Sequence, residues 1–338
     1  MTYDAFLLVS FGGPECRDDV LPFLENVLRG RNVPRERMLE VAKHYYHFGG
    51  ISPINAQNRA LLAALKEEFK AAGIRLPLYW GNRNWQPLLP DTLAQMKADG
   101  VRRAISLFTS AYSSYSGCRQ YRENIAAAQA SVGEGAPAID NLRCFFNHPG
   151  FIEPMVENTA AALAKIPIER RTDTQLIFTA HSIPVAMAER CLYREQLAKT
   201  ASLVAGRVGR QWALVYQSRS GRPEDPWLGP DICDYLRTEH AAGLRAGHQF
   251  RPLIHQGEQA TWLKAENRAA ISDAGRQPGN GMPREFPRHG VDDPGPVGAV
   301  HRDDVRTPRE PLLPGDLLVL ELVQRDREAH GLPHRLER

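Results

Sequence analysis

The chain lacks the long hydrophobic run of a membrane-spanning helix: nowhere in its 338 residues do about 18 apolar residues follow one another. Its N-terminus, Met-Thr-Tyr-Asp-Ala-Phe-Leu-Leu-Val-Ser, sets no basic segment ahead of the apolar one, so no secretory leader is read there and a cytoplasmic protein is expected. Cysteine is scarce. Cys16, Cys118, Cys144, Cys191 and Cys233 are scattered, odd in number and without a CxxC pair, which signals neither a disulfide framework nor a zinc or iron–sulfur site. Charge of one sign is lacking too: 42 Lys and Arg against 39 Asp and Glu leave a formal charge of +3, with no basic stripe to neutralise a phosphate backbone. Nucleic acid is not expected as a partner. No Walker-type loop is present and no G-x-G-x-x-G opens a helix; "FGGP" alone does not make a nucleotide site.

What is present reads as an α/β chain long enough for two domains of about 150 residues. Strand-like runs at Ala5–Phe11, Leu76–Trp80 and Arg103–Thr109 alternate with helix-like segments at Arg37–Tyr46, Ala56–Ala71 and Gln120–Ala130. The order then repeats, with helices at Glu153–Leu163 and Gln196–Arg207 and strands at Leu176–Ala180 and Ala213–Tyr216. Alternation of this kind implies parallel sheets with crossover helices. The expected architecture is two similar halves, 1–150 and 151–240, joined near 145–170 with a cleft between them.

Past about residue 240 the character changes. Residues 241–338 hold 10 Pro, 13 Arg and 6 of the 11 His against a single Lys, and none of the ten Tyr or five Cys. Periodicity fades except in the apolar run Leu317–Val323. Such a segment buries too little surface to offset its ordering entropy, so loop or disorder is expected. The excess of Arg, Pro, Gly, Ala and His is also what a GC-rich gene yields out of frame, so residues from about 245 onward are expected to be foreign to the rest.

Chemistry gathers where strands end. "FTAHSIPVA" (Phe178–Ala186) closes an apolar run with His181, Ser182 and Ile183 before Pro184. The carboxyl ends of parallel strands are where α/β proteins handle ligands, although a helix cap or a backbone partner is the plainer role for such a ring. "HYYHFGGISPIN" (His44–Asn55) leaves Ser52 between a Gly-Gly turn and Pro53, either an exposed hydroxyl for a ligand or an ordinary interhelical turn. In "LRGRNVP", Arg29 and Arg31 flank a glycine, where they hold ligand carboxylates or stand as solvated charges at a helix end. "TSAYSSYSGCRQY" (Thr109–Tyr121), "YWGNRNW" (Tyr79–Trp85) and "YQSRSGRPEDPWLGPD" (Tyr216–Asp231) each follow a strand with an aromatic, an arginine and at least one glycine, suited to a flat apolar ligand with polar groups at its rim.

Together with "LLVSFGGPE" and "FLENVLRGRNVP", these segments make the chain resemble the ferrochelatases, enzymes that insert ferrous iron into a porphyrin, and among them the bacterial group that uses coproporphyrin III. The resemblance spans about residues 3 to 240 in seven ordered motifs. It implies two Rossmann-like domains with the porphyrin in the cleft and Fe²⁺ as the substrate metal. His181 matches the family's catalytic and metal-site histidine, Ser52 and Tyr121 match positions that contact the metalloporphyrin, and Arg29 and Tyr45 fall in segments that line the pocket. Phe11 stands where some relatives carry a tyrosine, so no axial phenolate is expected from it. A tail without cysteine implies no iron–sulfur cluster.

The histidine suits the reaction. A free porphyrin must lose two pyrrole protons to accept a metal, and imidazole both takes protons near neutral pH and ligates Fe²⁺. The sequence departs from the family in one respect: no Asp-His-x-Glu segment follows a buried strand. His255, Glu258 and Glu266 lie at about the right distance downstream but follow no hydrophobic strand. Two further readings therefore stand beside an active ferrochelatase: a catalytically impaired porphyrin-binding derivative, and a chelatase for another metal or tetrapyrrole. An unrelated α/β scaffold would need the motifs to be coincidental. The sequence does not decide between coproporphyrin III and protoporphyrin IX, leaves peripheral membrane contact open, and has a monomer as its default assembly.

Overall fold

The computed structural model describes residues 2–171, 174–219, 224–241 and 317–321. The chain opens with β1 (Ala5–Ser10), α1 (Val20–Leu28), α2 (Arg35–His47) and α3 (Ile54–Ala71), then β2 (Leu78–Asn82), α4 (Leu89–Ala98), β3 (Arg103–Phe108), α5 (Gln120–Val132) and β4 (Ala138–Asn141). Helices α6 (Pro149–Leu163) and α7 (Ile168–Arg171) lead to β5 (Gln175–His181), α8 (Val185–Ala188), α9 (Tyr193–Val208), β6 (Trp212–Gln217) and α10 (Ile232–Ala241), with β7 (Leu317–Glu321) last. Two parallel sheets result, ordered β2-β1-β3-β4 and β6-β5-β7.

The first sheet is covered on both faces, and the alternation of side chains along β1 shows how. Ala5, Leu7 and Val9 pack on one side with Leu89, Leu93 and Met96 of α4 and Tyr121, Ile125 and Ala128 of α5. Phe6 and Leu8 pack on the other with Leu61, Leu65 and Phe69, which recur at four-residue intervals and so share one face of α3. All six residues of β1 are buried, as a central parallel strand requires.

In the second sheet Leu176, Phe178 and Ala180 of β5 meet Leu197, Ala201, Val204 and Ala205 of α9 and Ile152, Ala162 and Leu163 of α6. The opposite face is thinner: Ile177 and Val215 pack on Ile232, Tyr235 and Leu236 of α10. The apolar run noted at the end of the chain supplies β7, which lies parallel to β5 with Gln175 opposite Leu317. The other residues after 241 lie outside the described residues, as do 172–173 and 220–223.

Three elements carry no reading in the sequence pattern. Helix α1 carries Pro22 in its first turn, where the missing amide costs nothing, and α4 likewise begins Leu-Pro, so both prolines start helices rather than break them. Strand β4 (AIDN) is a short, largely exposed edge with no apolar run to betray it. Among the described residues no helix is long and apolar enough to cross a membrane.

Candidate functional site

Parallel pairing brings the ends of β1, β2 and β3 to one edge, with Ser10 opposite Asn82 and Val9 opposite Phe108. Backbone bonds continue past that edge: the Arg83 amide donates to Ser10 O at 3.0 Å, the Asn84 amide to Phe11 O at 3.1 Å and the Thr109 amide to Val9 O at 3.1 Å. The rim built there is aromatic and cationic. Arg83 lies over the ring of Phe11 (5.4 Å to the centroid) and over that of Tyr121 (4.6 Å), and Tyr121 stacks on Phe108 at 5.1 Å. Arg83 Nε donates to Asn124 Oδ1 at 2.7 Å, while its Nη1 is buried without a hydrogen-bond partner among the described residues.

The four candidates of the first half attach to this rim. Ser52 is not the exposed hydroxyl expected but is buried, because Gly13 lets the backbone close over it; its amide donates to Pro14 O at 2.7 Å and its Oγ accepts from the Ile54 amide at 3.4 Å. Its place depends on close backbone approach: a Cβ on Gly13 would stand 2.6 Å from Ser52 Cβ, and one on Gly50, whose φ is +78°, would stand 2.6 Å from Arg17 Cα. Tyr45, half-buried, sets its ring against Phe23 at 5.8 Å, and Phe23 in turn meets Phe11 at 6.2 Å. Arg29 is exposed at the end of α1 and donates to Asn26 Oδ1 at 2.5 Å; Asn26 Nδ2 reaches Asn84 O at 3.3 Å, and Asn84 Nδ2 reaches Phe11 O at 3.2 Å. Tyr121, only 2 % exposed, presents little surface of its own: it packs in the core beneath α4 and α5, stacks on Phe108 and lies under Arg83.

His181 is the last residue of β5, half-buried, opposite Gln217 of β6. By alternation it shares the face of Ile177 rather than the α9 face of Phe178 and Ala180. Its backbone is fixed from two sides. The Tyr193 hydroxyl donates to His181 O at 3.1 Å, and the Ser182 amide donates to Gln217 O at 2.8 Å. The turn that follows is clamped by residues 226–228: Ser182 Oγ donates to Leu228 O at 2.7 Å, the Leu228 amide to Ile183 O at 3.0 Å and the Val185 amide to Pro226 O at 3.0 Å.

The hydroxyl-rich loop after β3 joins the two halves. Tyr112 is fully buried and meets Tyr193 edge-on at 6.3 Å, and the Ser113 amide donates to Gln196 Oε1 at 2.7 Å. A path of direct contacts thus runs from the rim of the first sheet, along this loop, through Tyr193 to His181. Burial holds the Tyr112 phenol well above its ordinary range and pushes that of Tyr216, beside it in the same core, up to about 12, so both stay neutral near pH 7.

Sequence reasoning passed over Arg83, although "GNRNW" had set an arginine at a strand end. Its partners, Phe11 after β1 and Tyr121 and Asn124 of α5, come from two distant segments, so no local pattern names it. His255, Glu258 and Glu266 lie outside the described residues. Among the described residues no group of three or more His, Cys, Asp and Glu side chains gathers as a metal site.

Comparison with known proteins gives one family. The profile described as Ferrochelatase matches residues 3–248. The chain is 62 % identical over 235 residues to a ferrochelatase of Rhodopirellula baltica, covering 69 % of this chain and 67 % of that protein. It is 54 % identical over 263 residues to a coproporphyrin III ferrochelatase of Streptomyces coelicolor, covering 72 % and 70 %. With one from Mycolicibacterium smegmatis it shares 50 % over 250 residues, covering 73 % and 74 %. Matches of this extent, falling on the segments that form the rim and the His181 turn, mean that the chain belongs to the ferrochelatase family.

Proposed function

We propose that this chain inserts ferrous iron into coproporphyrin III, a step of haem biosynthesis. The observation that carries the proposal is the pairing of a strand-end histidine, held through its own carbonyl by Tyr193, with an aromatic and cationic rim on the other half. Several of its relatives bear the name coproporphyrin III ferrochelatase. In this reading the halves are two Rossmann-like domains and the porphyrin lies in the cleft between them. Ser52, Tyr45, Tyr121 and Arg83 support one side of the macrocycle, and Arg29 meets a propionate at the rim, where a planar guanidinium matches a carboxylate.

The chemistry exchanges two pyrrole protons for Fe²⁺. His181, the catalytic residue, takes a proton from a pyrrole nitrogen and hands it to water, does the same for the second pyrrole proton, and only as the neutral ring can its nitrogen ligate the metal; a positioned base of this kind contributes about 10² to 10⁴ in rate. The clamp on residues 182–185 fixes where the ring stands, which matters because an error of about 1 Å in such a geometry costs about a hundredfold. The protein acts in the cytoplasm as a monomer and without an iron–sulfur cluster. A second reading, a porphyrin-binding derivative with impaired turnover, is favoured by one observation: the family match ends at residue 248, before any Asp-His-x-Glu segment appears.

The test is anaerobic insertion followed by absorbance, with coproporphyrin III and protoporphyrin IX offered separately. Faster insertion into coproporphyrin III is expected. Equal or preferential use of protoporphyrin IX overturns the substrate assignment, and tight porphyrin binding with no insertion selects the second reading.

A further inference from the structure

Two asparagines lie behind the rim and take no part in the chemistry at His181. Asn55 stands in the first turn of α3 and Asn82 ends β2; both are 0 % exposed. Asn82 Nδ2 donates to Asn55 Oδ1 at 3.2 Å and to Gln86 O at 3.0 Å, and Asn55 Nδ2 donates to the same Gln86 O at 3.1 Å and to Gly13 O at 3.3 Å. The Trp80 indole donates to Asn82 Oδ1 at 2.9 Å. Every amide N–H of the pair is therefore engaged, and both oxygens accept. Neither group can turn over: a flipped Asn82 would set its NH₂ against the Trp80 N–H, and a flipped Asn55 would set its oxygen against two carbonyls.

The pair sits where three arms of the rim meet. Gly13 belongs to the arm that leaves β1, two residues past Phe11; Asn55 follows Ser52 by three residues at the entry to α3; Asn82 directly precedes Arg83, and Gln86 lies further along that arm. The arms run close together, since a Cβ on Gly12 would stand 2.9 Å from Asn82 Cβ. Backbone bonds join them only in twos: Arg83 and Asn84 to Ser10 and Phe11, and Ser52 to Pro14. The two amides alone bond to all three.

We propose that Asn55 and Asn82 are positioning residues for the porphyrin, setting the separation of Phe11, Ser52 and Arg83 so that the macrocycle meets one fixed wall. The inference rests on the function proposed above. These arms lie past the strand ends, where ladder pairing has stopped, and apolar packing alone tolerates several arrangements. A buried polar network with every donor satisfied accepts one, because any shift strands an amide or a carbonyl away from water. Asparagine suits both places, supplying two donors and an acceptor on a short stem. Aspartate would bring a buried charge and no N–H, and alanine would leave Gly13 O or Asn55 Oδ1 without its donor.

The test titrates the full chain with metal-free coproporphyrin III, read by porphyrin fluorescence at a temperature where circular dichroism shows every variant folded. Asn55→Ala and Asn82→Ala are each expected to raise Kd about tenfold, and the double variant about as much as either alone, since one network is lost rather than two independent contacts. In turnover, KM should rise more than kcat falls. Leu65→Ala, buried on α3 about 15 Å beyond Asn55, opens a core cavity and should lose at least as much stability while its Kd stays within about twofold of the wild type. Asn55→Ser keeps a hydroxyl for one of the bonds and should fall between wild type and Asn55→Ala, so the test survives if the alanine variant does not fold. Wild-type affinity in the asparagine variants, or a Leu65→Ala effect as large as theirs, overturns the inference alone. Absence of porphyrin binding by the wild type overturns the proposed function and this inference with it.

Discussion

The two sheets solve one problem with different thoroughness. In the first, every face of β1 has its own helices, α4 and α5 on one side and α3 on the other, and the rim at its carboxyl edge is braced by Asn26, Asn55, Asn82 and Asn84 bonded to backbone and to one another. In the second, β5 is as deeply buried as β1, yet only α10 covers the face that carries Ile177 and His181 among the described residues. The difference teaches that a binding wall and a reacting group have separate requirements. A wall that must stay rigid against a flat ligand rests on a layer packed from both sides; a histidine needs only its strand end held. That holding is local, since Tyr193, Gln217 and Leu228 all lie within fifty residues of His181 in the chain.

Mutations sharpen the contrast. Leu176→Ala on the thick face should cost toward the upper end of about 2–5 kcal/mol in denaturant unfolding, and Ile177→Ala on the thin face toward the lower end. Equal losses would mean that the α10 face is packed as firmly as the other. Gly13→Ala forces a methyl against Ser52 and should cost about 1–3 kcal/mol while displacing the rim, seen as weaker porphyrin binding with the second half's stability unchanged. Tyr193→Phe removes the bond to His181 O and should cost about 0.5–1.5 kcal/mol, with turnover falling more than porphyrin affinity.

The smallest effect lies at the surface of the first half. The hydrogen bond from Arg59 holds the Glu15 carboxyl below its ordinary range, partly opposed by burial. A lowered carboxylate contributes stability that is present above its unfolded value, about 4.3, and is lost as pH falls through the folded one. Glu15→Gln should thus cost under about 1 kcal/mol at pH 7 and almost nothing at pH 3 in parallel melts. A difference that grows on acidification would reverse the sign and rule this account out.

Much of the frame was legible in the chain. The runs that became β1 and β5, and the period-four apolar residues of α3, each state their structure locally, because a buried parallel strand tolerates little but apolar residues. Strand β2 lay two residues later than expected, since Leu76 and Pro77 precede the first ladder pair of Phe6 with Leu78. The motifs around His181, Ser52 and Tyr121 were visible as residue types at strand ends and turns. What was hidden depends on contacts between distant segments: the placement of Arg83 over Tyr121 and the bridge from Ser113 to Gln196.

The most direct measurement compares turnover and affinity in one experiment: anaerobic titration of the wild type and His181→Ala with coproporphyrin III, followed by Fe²⁺. The account predicts that the variant binds the porphyrin as the wild type does and inserts iron at least about a hundredfold more slowly. Insertion by the variant at the wild-type rate would contradict it, for the reacting group would then lie elsewhere than at the end of β5.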